Sequence, residues 1–180
     1  MPIPALRLML GAPPGDVEPM AEPAFAKAAL IEASLEALAE RAGDPTPLVY
    51  AKLFAAYPAY QAHFWRDKDG AIKGEMLARV FEALLDFIGE RRYADHMINT
   101  ELVTHEGYDV DREVFATFFG HVAQTVQDVL GEDWTAELAA AWSALLEEID
   151  VYVQATPRSD VSNPVSAKLR AEFEAAWTSA

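Results

Sequence analysis

The chain reads as an all-α protein, and three observations carry that reading. Apolar residues recur three and four positions apart in segment after segment, the period of one helix face rather than of a strand. Helix-boundary residues punctuate those segments: Asp44-Pro45 and Asn163-Pro164 at starts, Gly43 and Gly131 at stops. No segment alternates apolar and polar, no glycine-rich phosphate loop follows a strand, and no repeat of fixed period is present.

Residues 1–23 hold six of the eleven prolines and read as an irregular arm, since proline removes amide donors and fixes φ. Residues 24–42 carry Ala28, Ile31, Leu35 and Leu38 on one face and Glu32, Glu36, Glu40 and Arg41 for the wet side. The next helix starts at Asp44-Pro45, holds Leu48, Val49, Tyr50, Leu53 and Phe54, and is interrupted by Pro58. A short helical turn runs to Phe64 and Trp65, then a charged corner over residues 66–70. Residues 71–91 form a long helix with an inner stripe of Met76, Val80, Leu84, Phe87 and Ile88, flanked by Leu77 and Phe81. A further helix over 93–104 leads to His105. Residues 111–130 place Phe115, Phe118, Phe119, Val122, Val126 and Val129 on one side, and 134–154 repeat the pattern with Leu138, Trp142, Leu145, Ile149 and Val153. A polar linker then precedes a last amphipathic helix with Val165, Leu169, Phe173 and Trp177 in register, a stripe that needs a partner surface on its own bundle or on a second subunit. The expected organisation is an arm over 1–23, one helical domain over 24–155, and a linker with C-terminal helix over 156–180.

With 180 residues, 52% of them hydrophobic, the chain is large enough to enclose a sizeable ligand within one core. Its formal net charge of -15 repels phosphate backbones and anionic lipid, so no nucleic acid and no membrane surface is expected as a partner. The absence of cysteine rules out disulfides, thiolate catalysis and the usual structural zinc frameworks. Pro2, Pro4 and Arg7 break the apolar opening, no cleavage site follows, and no apolar run reaches membrane-spanning length. A soluble, cytoplasmic protein is expected.

Residues 105–115 (His-Glu-Gly-Tyr-Asp-Val-Asp-Arg-Glu-Val-Phe) read as a helix end, a corner closed by Gly107 and Asp109, and a new helix N-capped by Asp111. Three roles fit a histidine at a helix end: a hydrogen-bonded core residue, a cation answering the helix dipole, or a ligand facing a cavity. His63, His96 and His121 read as exposed or hydrogen-bonded structural residues, with His96 a rescue ligand should His105 be replaced.

Four segments in this order resemble the globins, specifically bacterial single-domain globins and the haem domains of flavohaemoglobins. Residues 47–54 (Pro-Leu-Val-Tyr-Ala-Lys-Leu-Phe), with Pro58 and Phe64, look like the second globin helix and the phenylalanine that wedges haem. Residues 76–81 look like the distal helix. His105, Tyr108, Val110 and Phe115 match the proximal histidine and its corner, and residues 129–142 match the turn between the last two helices. The resemblance covers about residues 28–153 and implies a three-over-three helical sandwich, the first helix being complete.

The resemblance further implies a haem b (iron protoporphyrin IX) whose iron is bound by His105, the other ring nitrogen donating to a carbonyl near Glu101. Tyr50, Phe64, Met76 and Val80 fall on the opposite face, and Tyr50 carries the hydroxyl among them. As donor to a bound diatomic gas it would contribute about 1.5 to 3 kcal/mol; the alternative is a packed phenol bonded to a backbone carbonyl. Met76 replaces a common histidine or glutamine and makes the face drier. Arg79 and Lys73 are candidates for the haem propionates, or else a solvated face. Flavohaemoglobins back the proximal histidine with a tyrosine and a glutamate; Phe115 and Ser159 stand at those places here, so that push is expected to be missing. Reversible binding of dioxygen, carbon monoxide and nitric oxide is the implied function. The rivals are nitric oxide dioxygenation with a separate reductase, no reductase domain following in the chain, and a gas-sensing or signalling globin acting as a homodimer.

Overall fold

Amphipathic helices this short cannot stand alone in water, and in the computed structural model they bury their stripes against one another. The structure describes residues 25–157. They form α1 (Ala28–Ala42), α2 (Thr46–Ala56), a 3-10 helix (Pro58–Phe64), α3 (Ala71–Ile88), α4 (Ala94–Gly107), α5 (Arg112–Leu130), a 3-10 turn (Gly131–Asp133) and α6 (Ala136–Ala155), with no strand among them. The arm expected over 1–23, the helix expected after Asn163, and Ser159 lie outside the described residues.

The packing pairs centre on α5. α5 lies against α1, α2, α4 and α6, while α3 lies against α2 and α4. Ile31, Leu35 and Leu38 of α1, Val122 and Val126 of α5, and Leu145 of α6 are fully buried between them. Trp142 of α6 is buried too, and its indole N–H donates to Ser34 Oγ at 3.1 Å, which itself donates to the Ile31 carbonyl. A large ring is thereby buried without an unsatisfied donor.

Helix ends depart from the sequence reading where tertiary contacts intervene. α1 begins at Ala28 rather than residue 24, the Phe25 amide being drawn to the Ile88 carbonyl at 3.2 Å. α3 stops at Ile88 instead of 91, because Asp86 turns its carboxylate to the amides of Tyr93 (3.0 Å) and Ala94 (2.7 Å) and so caps α4 from the preceding helix. α4 runs three residues past Thr104, which puts His105 inside its last turn. Gly107 is simply the final helical residue; the left-handed residue of the corner is Asp109, at φ 59°. Asp111 holds the N-cap position of α5, yet its carboxylate accepts from the Tyr60 hydroxyl (3.3 Å) rather than from an amide of the helix it precedes.

The long helix α3 shows two apolar faces, not one stripe. Leu77, Phe81, Leu84, Phe87 and Ile88 are buried in the core, whereas Met76 and Val80 are half-buried and line a cavity. The same division splits α5: Phe119, Val122 and Val126 are buried, and Phe115 and Phe118 turn toward the cavity.

Candidate functional site

The cavity measures about 510 Å³, and α2, α3, α4 and α5 all contribute to its walls. All nine residues singled out in the sequence border it: Tyr50, Phe64, Met76, Arg79, Val80, His105, Tyr108, Val110 and Phe115.

His105 enters from the last turn of α4. Its Nδ1 lies 2.7 Å from the carbonyl oxygen of Glu101, one turn earlier on the same helix. A carbonyl can only accept, so Nδ1 carries a proton, and the neutral ring then has its lone pair on Nε2. Phe115 packs edge-on against the imidazole, 5.2 Å between centroids and 61° between planes, and bars ring rotation without offering a polar bond. The amides of Tyr108 (2.9 Å) and Val110 (3.0 Å) both converge on the His105 carbonyl and close the corner behind it.

Behind this helix lies a fastening that sequence reasoning missed. Arg112, 5% exposed, donates through Nε (3.0 Å) and Nη2 (2.8 Å) to Glu106, the neighbour of His105, and through Nη1 to the carbonyls of Val153 (3.2 Å) and Thr156 (2.6 Å) at the end of α6. Asn99 donates to the Tyr152 hydroxyl at 3.0 Å and accepts from Thr156, a second tie between α4 and α6. Arg112 and Glu106 are six positions apart, but the bonds from Arg112 and Asn99 to the end of α6 join residues more than forty positions apart, and no local spacing announces those.

The wall built by α2 is aromatic. Tyr50 sits edge-on to Phe64 (5.3 Å) and Phe118 (5.4 Å) and tilted to Phe54 (5.7 Å). It is 2% exposed, and its hydroxyl has no hydrogen-bond partner within the protein. The backbone-bonded alternative for this phenol is therefore not what the structure contains. Burial first, and the negative charge of Asp67 second, raise its pKa far above the ordinary tyrosine value, so the hydroxyl keeps its proton and remains a donor.

Asp67 anchors the start of α3. Its side chain is fully buried and accepts from the amides of Ile72 (2.9 Å) and Lys73 (3.2 Å) and from Lys73 Nζ (2.6 Å). Burial works to raise its pKa, but the Lys73 ammonium and the two amides outweigh that and hold it below the ordinary carboxylate value. Lys73 also lies over the Phe64 ring, 5.4 Å from the centroid, so its charge is occupied by Asp67 rather than extended toward the cavity.

At the rim, Arg79 of α3 reaches Glu101 of α4 with 3.4 Å between Nη1 and Oε1. Tyr60 and His63, neither of them singled out from the sequence, also line the cavity and stack on each other at 5.5 Å. Sequence position alone placed His63 beside the wedge Phe64; nothing in it signalled that the 3-10 helix would turn that ring to the rim. His96 is exposed and does not border the cavity. His121, expected exposed or hydrogen-bonded, is 8% exposed with neither ring nitrogen partnered. Tyr57 lies 6.4 Å away, and Gln124 and Lys52 are near enough to act on its charge, although neither ring nitrogen meets a partner at full hydrogen-bond geometry.

A largely apolar cavity bordered by the His105 imidazole of α4 and the unpartnered Tyr50 hydroxyl of α2, with His63 at its rim, suits a flat, apolar group that carries a metal. Among the described residues no three histidine, aspartate or glutamate side chains converge to hold a bare metal ion. No described helix is long and apolar enough to cross a membrane. A family model described as Globin matches residues 48–151, more than half of the chain. No curated protein and no solved structure gives a match.

Proposed function

The chain belongs to the globin family, with an all-α globin fold, and from that premise we propose that it holds haem b through His105 and reversibly binds a diatomic gas (dioxygen, carbon monoxide or nitric oxide) on the side of Tyr50. The observation that carries this reading is the pairing of His105, its Nδ1 committed to the Glu101 carbonyl, with the orphaned Tyr50 hydroxyl on another wall of the same cavity. Bound haem would supply iron able to bind a diatomic gas; His105 would hold it, and the Tyr50 hydroxyl would donate to the gas.

The residues divide the remaining work. The Glu101 carbonyl fixes the tautomer of His105 and so presents a lone pair at Nε2. Phe64 and Phe118 hold the Tyr50 ring edge-on, so its hydroxyl needs little reordering to donate to a guest. Met76 and Val80 add no donor, and with the aromatic cluster they keep that side of the cavity poor in water. Arg79 at the rim is the cation placed to meet a haem propionate, since Lys73 is already paired with Asp67. The order Tyr50, Phe54, Pro58, Phe64 favours kinship with bacterial single-domain globins and flavohaemoglobin haem domains, and residues 24–155 make up the haem domain in this reading.

Titration of the purified chain with hemin, followed by spectra of the ferrous form with and without carbon monoxide, tests the reading. A stoichiometric Soret band that is lost or shifted in His105→Ala is the expected outcome. A chain that stays colourless in excess hemin, or a band indifferent to that substitution, would sink it.

A further inference from the structure

Glu101 makes two approaches to the same imidazole. Its carbonyl accepts a hydrogen bond from Nδ1–H at 2.7 Å, and its own carboxylate lies across from the same nitrogen, with Oε2 at 3.9 Å. This spacing follows from helix geometry, Glu101 and His105 being one turn apart on one face of α4. Glu101 is the only acidic side chain bordering the cavity among the described residues. The nearest rival, Glu106, is taken up by Arg112. On its far side the Glu101 carboxylate meets Arg79 of α3 at 3.4 Å, and Arg79 is the only arginine or lysine bordering the cavity among the described residues.

We propose that Glu101 is the positioning and charge-donating residue for His105, acting from within the same helix, with Arg79 setting how much of that charge the imidazole feels. The inference rests on the haem reading above. A carboxylate beside the protonated ring nitrogen increases the electron density that the other nitrogen can give to a metal. Because the contact is at 3.9 Å rather than hydrogen-bond distance, it acts as a charge while the carbonyl holds the orientation. Removing the charge therefore leaves the ring in place. Arg79 draws on the same carboxylate from the opposite side, but its side chain is 60% exposed, so solvent weakens its hold. Any anion that engages Arg79 releases the Glu101 charge toward His105, which couples the rim of the cavity to the strength of the axial ligand.

The test uses the full chain loaded with hemin. Resonance Raman scattering reads the iron–histidine stretch of the ferrous form, and spectroelectrochemistry reads the midpoint potential. In Glu101→Gln the stretch moves to lower frequency and the potential becomes more positive, reduction being favoured on the order of threefold to tenfold. Arg79→Met moves both in the opposite direction and by less, and Glu101→Asp retains part of the wild-type frequency. If Glu101→Gln binds hemin normally with stretch and potential unchanged, or if Arg79→Met shifts them the same way as Glu101→Gln, the proposal is overturned while the haem reading stands. If His105→Ala leaves the iron–ligand spectrum intact, both fall together. Circular dichroism of each variant separates these outcomes from misfolding, and Arg79→Met gives an independent reading should Glu101→Gln fail to fold.

Discussion

The two sides of the cavity are fastened by different means. The helix that carries His105 is tied down by charge and hydrogen bonds: Arg112 to Glu106 and to two carbonyls of α6, and Asn99 to Tyr152 and Thr156. The side that carries Tyr50 is held mainly by rings and aliphatic packing. Each buried side-chain polar atom left without a partner among the described residues belongs to α2 or α5: Thr46 Oγ1, the Tyr50 hydroxyl and both nitrogens of His121. One arrangement uses up its polar groups to fix the direction of an imidazole. The other leaves a donor unused inside an apolar enclosure, where a hydrogen bond formed later is worth more than in water.

Four substitutions break or sharpen that contrast. The largest effect is expected from Arg112→Met, which strands Glu106 and two carbonyls behind α4. Urea unfolding should show a loss of about 3 to 5 kcal/mol, with faster hydrogen exchange in α4 than in α2. A loss below about 1 kcal/mol, the range of exposed ion pairs, would mean the His105 side is not held by this clamp.

Tyr50→Phe comes next and should separate function from stability. Dioxygen release from the haem-loaded chain is expected to accelerate on the order of tenfold to a hundredfold. The haem-free chain should be unharmed or slightly stabilised, since the substitution deletes a buried hydroxyl that bonds to nothing. Stopped-flow release and thermal melts measured side by side would refute the assignment if stability fell while release stayed unchanged.

Asp67→Asn tests the buried carboxylate on the Tyr50 side. It should cost about 1 to 3 kcal/mol by loosening the first turn of α3. The Asp67 pKa is depressed in the folded chain, so its contribution is present above the ordinary aspartate value near 4 and is lost as pH falls through the lower folded value. In urea titrations against pH, the variant should lack that acid-side step.

The smallest effect belongs to His121. Burial, with Lys52 adding to it and Gln124 opposing, holds its pKa below the ordinary histidine value. The unfolded chain therefore takes up a proton first: no cost exists above about pH 6.5, and stability falls below it by up to about 1.4 kcal/mol per pH unit until the folded histidine protonates as well. His121→Leu should flatten this part of the profile. A profile of unchanged slope would place His121 outside the acid response.

Legibility in the sequence followed the range of the interaction responsible. Gly43 and Gly131 stop α1 and α5 as expected, because a left-handed residue at a helix end is a local requirement. The bond from His105 to the Glu101 carbonyl, implied by the globin resemblance, is likewise a local one, a single helical turn long. Missing from the sequence reading were the Glu101 carboxylate beside that ring, the Arg112 clamp and the rim position of His63. The first was within reach of an i,i+4 argument; the others depend on which helices meet.

Sequence alone determined that this chain is helical and roughly where its helices run, since helical period and terminal residues act within a turn or two of the backbone. The resemblance to the globins is what pointed to His105 and Tyr50. Tertiary structure decided which apolar residues of α3 and α5 enter the core and which border a cavity, that Lys73 serves Asp67 and Arg79 serves Glu101, and that the Tyr50 hydroxyl has no partner. A helix with two apolar faces does not announce which one the core will claim. That choice is made by the shapes packed against it, and a polar atom goes without a partner only where those shapes leave nothing within reach.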